Sequence, residues 1–203
     1  MLWFPVGKHF EKVWFAMPQK SATYEQLERI PTISSNTNTH PQLEEVRVDM
    51  AGMKVESRPV ELLTSVGSCV GICVYDSIHR CGGLAHIMLP HSNLGPQEPL
   101  PSKFADTAVP ALLTGIRGLT GITSMETRLT AKIAGGANMF ANTGANGLDI
   151  GTKNVTAVKK ALDEHKIRVI GEDVGGNHGR RINFNLASGA ITIKLHSGEI
   201  RKL

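Results

Sequence analysis

The chain has 203 residues, 41% of them hydrophobic and 20% charged, which suits one globular domain with a packed core and an additional arm. A net charge of +4, with Lys and Arg scattered and only 5% aromatics, supplies neither the basic run nor the stacking platforms of a nucleic-acid binder. No apolar run approaches the roughly eighteen residues needed to cross a membrane.

Residues 1–45 differ from the rest. They hold both Trp residues, Trp3 and Trp14, followed by the polar stretch PTISSNTNTHP, which reads as a linker. The start, MLWFPVGKHFEKVWF, lacks the apolar core and small-residue cleavage site of a signal peptide. Residues 46–203 have the texture of a compact domain. VRVDMAGMKVE alternates and predicts a strand, and ELLTSVGSCVGICVYD is rich in strand formers. GGLAHIMLP is a further apolar strand, and HSNLGPQEPLPSK a Pro-rich loop. Asp106 is placed to cap a helix through AVPALLTGIRGL. ETRLTAKIAGGA predicts a strand running into a Gly turn. TKNVTAVKKALDEH sets Val155, Val158, Ala161, Leu162 and His165 on one helical face. IRVIGEDVGG and RINFNLASGAITIKL predict strands joined by turns. Strands and helices do not alternate regularly, so the fold class is α+β.

The three Cys, Cys69, Cys73 and Cys81, are odd in number and close together. They make no disulfide framework and fit a reducing, cytoplasmic setting. Cys69 sits in GSC, and His86 in the next apolar strand. With DSIH as a hairpin loop, Tyr75 faces Arg80 and Cys69 faces His86. Opposite residues of antiparallel strands have Cβ atoms about 4.5–5.5 Å apart. A thiolate is the nucleophilic form of Cys, and a neighbouring imidazole can stabilise it or take its proton. Gly67, Ser68 and Cys69 offer backbone N–H groups to an oxyanion. A Cys in an apolar strand is also the pattern of a small buried hydrophobe, and that is the reading for Cys73 and Cys81. Zinc fits poorly, because Cys69 and Cys73 on an extended strand lie roughly 13 Å apart at about 3.3 Å per residue. Of the other His residues, only His91 is expected near the site. The Gly-rich AKIAGGA and EDVGGNHGRR are not phosphate loops and suit tight turns or close backbone approach near a site.

Six segments in order, GSCVGICVYD, GGLAHIMLP, SKFADTAVPALL, AKIAGGANMF, IGTKNVTAVKKAL and EDVGGNHGRRINF, together resemble the CheD family. The likeness runs from about residue 50 to 199. It implies mixed β-sheets packed together and flanked by helices in αββα layers, like the cytotoxic necrotising factor deamidases. It also implies a cysteine-dependent amidohydrolase that converts Gln side chains of methyl-accepting chemotaxis receptors to Glu. Some members of the family also act as receptor methylesterases. The nucleophile falls on Cys69 and the catalytic His on His86, with no metal or organic cofactor. A CheC-type phosphatase is the implied protein partner. The family's Thr, six residues before the Cys, falls on Leu63 here. Thr64, or failing that Ser65, is therefore expected to supply the hydroxyl, brought into place by a one-residue bulge or deletion before Gly67. Two other readings fit the sequence: a non-catalytic adaptor for the phosphatase or receptor, and a thiol hydrolase of another amide or ester.

Overall fold

A computed structural model describes residues 43–94, 100–122, 128–138 and 150–203. The expected N-terminal extension lies outside the described residues as far as residue 42, as do His9 and His40. Ten strands form two five-stranded sheets. Sheet A has the order β1-β3-β8-β9-β10, built from β1 (Glu44–Arg47), β3 (Val60–Val66), β8 (Arg180–Asn185), β9 (Ala190–Leu195) and β10 (Ile200–Lys202). Sheet B has the order β2-β5-β4-β6-β7, from β2 (Met53–Glu56), β5 (Cys81–Ile87), β4 (Val70–Asp76), β6 (Thr130–Gly135) and β7 (Arg168–Val174). Both are mixed: β1 runs parallel to β3 and β6 parallel to β7, while the other pairs are antiparallel.

The sheets pack face to face through Leu62, Val66, Cys73, Leu84, Ile182 and Phe184. The other face of sheet B packs through Val70, Ile72, Val74 and Ile87 onto helices α1 (Ala105–Thr120) and α2 (Ile150–Glu164). β4 is thus covered on both sides, which is why VGICVYD is apolar at nearly every position. The α+β class expected from the sequence is what the structure shows. Both described helices lie on one side, so the described layers run helix, sheet, sheet.

Four local expectations are corrected. The single strand expected over 46–56 is two strands in different sheets. Between them the chain turns at Asp49–Gly52, where the Gly52 N–H donates to Asp49 O at 2.8 Å and Ala51 takes φ 57°. Asp106 does not cap α1. It lies in the first turn and accepts from Ser92 N and Ser92 Oγ at 3.0–3.1 Å. The hairpin between β4 and β5 turns one residue later than DSIH, pairing Asp76 with Cys81 and Tyr75 with Gly82. Asp76 causes this: its carboxylate accepts from Ile78 N at 2.9 Å and His79 N at 3.3 Å, so it closes the turn from the last strand position. Finally, β3 pairs with β8 from Glu61 to Val66 with no shift of register, so no bulge precedes Gly67.

Candidate active site

Residues 67–69 carry the chain from β3 in sheet A to β4 in sheet B. Each carbonyl of this crossing is held. Gly67 O accepts from Ala137 N at 2.8 Å, Ser68 O from Asn154 Nδ2 at 3.0 Å, and Cys69 O from Gly136 N at 2.8 Å. No backbone carbonyl and no side chain of another described residue takes the N–H of Gly67, Ser68 or Cys69. In a trans peptide the C=O of one residue opposes the N–H of the next, so the held carbonyls of Gly67 and Ser68 turn the N–H groups of Ser68 and Cys69 away from the clamp. The clamp depends on close backbone approach. Gly135, at the end of β6, has φ 121°, and a Cβ there would lie 2.2 Å from Cys69 O. Gly151 brings α2 against the same turn, since its Cβ would meet Gly136 O at 2.5 Å. The two Gly-rich segments do pack beside the Cys, because Gly175 N also donates to Gly135 O at 2.9 Å.

In the corrected register Gly71, not Cys69, lies opposite His86. A shift of two keeps the face. Cys69 packs against the cluster between the sheets to which Cys73 also belongs, and it precedes Gly71 by two positions. On a regular ladder that is the diagonal neighbour of His86, at about 7–8 Å between backbones.

His86 is 3% exposed and Thr64 5%. Thr64 points between the sheets by plain alternation with Leu62 and Val66, while Ser65 is exposed on the other face. Thr64 Oγ1 lies 2.8 Å from His86 Nδ1 and 2.8 Å from Val48 O. A carbonyl can only accept, so the hydroxyl proton goes to Val48 O. Thr64 can then only accept from His86, which places a proton on Nδ1. Nε2 is left with the lone pair, buried and without a hydrogen-bond partner among the described residues.

Burial pushes the Cys69 thiol above its ordinary pKa, although its own N–H pulls in the other direction. Burial pushes His86 below 6.5. Both shifts favour a neutral thiol and a neutral imidazole, rather than the resting ion pair the sequence allows. Cys73 and Cys81 are buried, and burial raises both thiols further from reactivity. His91 does not join the pair: it is exposed, with Nδ1 3.9 Å from Asp106.

Asn154 is the residue the sequence reading missed. It is fully buried on α2 and donates from Nδ2 to both Ser68 O and Met88 O, tying the loop before Cys69 to the segment after His86. An Asn inside the apolar face that also holds Val158, Ala161 and Leu162 was the available signal, because buried polar side chains need assigned partners. Two clefts open nearby. One of about 280 Å³ is lined by Thr64, His86, Ser65 and Arg181 among others; one of about 750 Å³ runs from Gly67 along Ser65 and Arg181 to Lys194.

A family model described as CheD chemotactic sensory transduction matches residues 88–195. A protein of Desulforamulus reducens is 45% identical over 152 residues, which cover 74% of this chain and 90% of that protein. The chain belongs to the CheD family. Within that family, a Clostridium acetobutylicum protein is 40% identical, covering 79% of this chain and 96% of its own length. One from Methanococcus maripaludis is 40% identical, covering 73% and 94%. All three carry the name "Probable chemoreceptor glutamine deamidase CheD". CheD membership bears out the likeness read from the six segments. The CheD match includes Gly135, Asn154 and the 175–179 loop, and begins just after His86.

Proposed function

We propose that this CheD protein deamidates particular Gln side chains of methyl-accepting chemotaxis receptors, with Cys69 as nucleophile, His86 as base and acid, and Thr64 as the group that orients His86. The observation that carries the reading is the hydrogen-bond chain from His86 Nδ1 through Thr64 to Val48 O, which leaves a buried Nε2 lone pair on the face that Cys69 shares. Nε2 takes the thiol proton as sulfur attacks the carboxamide carbon. The oxyanion is received by the N–H groups of Ser68 and Cys69, whose directions are fixed in advance by the pinned carbonyls of Gly67 and Ser68 in the same peptide units. The imidazolium still donates from Nδ1 to Thr64 and gives its Nε2 proton to the departing ammonia. A thioester remains. Nε2 then deprotonates water, hydroxide adds to the thioester carbon, and the returning proton restores the thiol as Glu leaves. Every proton is carried by His86, so no metal is required. A Glu methyl ester meets the same intermediates with methanol as leaving group, so receptor methylesterase activity follows from the same site.

Family membership supports two further parts of the reading, a cytoplasmic location beside the receptor's signalling region and a CheC-type phosphatase as partner. No helix of the described residues is long and apolar enough to cross a membrane.

The test is mass spectrometry of receptor cytoplasmic fragments before and after incubation. Site-specific conversion of Gln to Glu is expected with the native chain and with Cys73→Ala, and none with Cys69→Ala. Equal conversion by Cys69→Ala would overturn the assignment. A pull-down of a CheC-type protein by Cys69→Ala, with no conversion by the native chain, would select the adaptor instead.

A further inference from the structure

The outer face of sheet A carries an arrangement that stability does not explain. In the register of β3, β8 and β9, Ser65 lies opposite Arg181, and Arg181 lies opposite Lys194. Both cations are exposed, and neither forms an ion pair among the described residues. Like charges directly opposite on neighbouring strands destabilise a sheet. His178 and His196 flank the row, and the 750 Å³ cleft that holds all four has no Asp or Glu in its lining. The neighbouring Arg180 is committed elsewhere: it is buried on Asp173 at 2.7 Å and donates to Gly175 O and His178 O, so it shapes the wall of the cleft.

The row is continuous with the candidate catalytic centre. Gly67, first residue of the nucleophile loop, lines the same cleft, and Arg181 also lines the smaller cleft with His86 and Thr64. Strands lie about 4.8 Å apart, so Arg181 and Lys194 stand one and two spacings from β3. A substrate segment leading away from an amide at Cys69 past Gly67 and along the shared cleft therefore passes the two cations on the outer face of sheet A. A free small anion has no such reason to lie beside the nucleophile.

We propose that the Arg181–Lys194 row docks a carboxylate-bearing stretch of the protein substrate on one side of the target Gln. The proposal rests on the glutamine deamidase reading, and it assigns the specificity of that site to the charge pattern around the Gln.

The experiment uses the full chain and three fluorescent Gln peptides of equal length, with Glu, Ser or Lys at the flanking positions. Binding is read by anisotropy on Cys69→Ala, and conversion by mass spectrometry on the native chain. Expected is at least tenfold tighter binding of the Glu peptide than of the Ser peptide, weakening as salt is added. With Arg181→Glu and Lys194→Glu added, the Glu peptide should lose at least tenfold and the Lys peptide should bind better than it did before. The single Arg181→Glu change should raise Tm, because it turns a like-charge pair into an attractive one, while still weakening the Glu peptide. Equal binding of the Glu and Ser peptides, or no measurable binding of the Glu peptide, overturns the proposal. Selective binding without conversion by the native chain supports the docking row and counts against the deamidase reading. Conversion of all three peptides at one rate does the reverse.

Discussion

The hydroxyl of Thr64 stands between His86 Nδ1 and the Val48 carbonyl, 2.8 Å from each, so a backbone group in the β1–β2 turn sets the tautomer of an imidazole on β5. Thr64→Val keeps the shape and removes the acceptor. The imidazole then loses a buried partner, and the cost is about 1–3 kcal/mol of transition-state stabilisation. That is roughly a ten- to hundredfold fall in kcat for receptor deamidation. Thr64→Ser should restore most of the rate. Nitrogen chemical shifts of His86 should show a proton on Nδ1 in the native chain and a mixture of tautomers in Thr64→Val. An unchanged rate and tautomer in that variant would remove Thr64 from the site.

Some of this was legible in the sequence, for physical reasons. The alternation of Leu62, Thr64 and Val66 already placed Thr64 opposite in face to Ser65, and the structure needs no bulge to do it. The direct Cys69–His86 pairing was misplaced, since Gly71 lies opposite His86, but an error of two residues keeps the face. Its source, the Asp76 carboxylate closing the turn, is a side-chain choice that strand periodicity does not report. The break between β1 and β2 was hidden because Met50 and Ala51 fit an alternating pattern, although Ala51 adopts φ 57°. The pinning of the 67–69 carbonyls was not legible at all, since its donors come from the turn after β6 and from α2, far along the chain.

Asn154 separates stability from orientation. Asn154→Ala leaves Ser68 O and Met88 O without their buried donor, at a cost of about 1–3 kcal/mol in urea unfolding. Asn154→Asp is nearly the same size but sets a carboxylate against two carbonyl oxygens. It should unfold more easily still. In both variants kcat should fall more than KM rises, because the Cys69 N–H, the proposed oxyanion donor in the same peptide as Ser68 O, is no longer fixed. A pure stability loss with kcat unchanged at low temperature would make Asn154 a packing residue only.

Gly135→Ala probes the clamp from the other side. Its φ of 121° is strained for any side chain, and the added Cβ would sit 2.2 Å from Cys69 O, a backbone atom that cannot rotate away. The change should destabilise the fold by several kcal/mol, by strain of this kind and displacement of the loop. Gly118→Ala on α1, where a Cβ meets nothing within 4 Å, is the matched control and should be neutral or slightly stabilising. Comparable melting of the two variants would mean that the loop is not held by this contact.

The acid–base state of the pair is measurable through pH. His86 is held below 6.5 by burial and Cys69 above 9.0 by burial, so the neutral pair prevails across the neutral range. Deamidation needs neutral Nε2, so kcat/KM should fall on the acid side with a midpoint below 6.5. Alkylation of Cys69 by iodoacetamide needs thiolate, so it should be slow at neutral pH and keep rising past 9.0. Folding stability follows the same signs. The unfolded chain protonates its His more readily than the folded one, so the His86 contribution is present above 6.5 and lost as pH falls through the lower folded value. The unfolded chain ionises its Cys more readily, so the Cys69 contribution is present below 9.0 and lost as pH rises through the higher folded value. A resting ion pair predicts the opposite kinetics. Alkylation would already be at a plateau at neutral pH, and His86→Ala would abolish that plateau. In the neutral pair, His86→Ala should leave the alkylation profile nearly in place while removing deamidation.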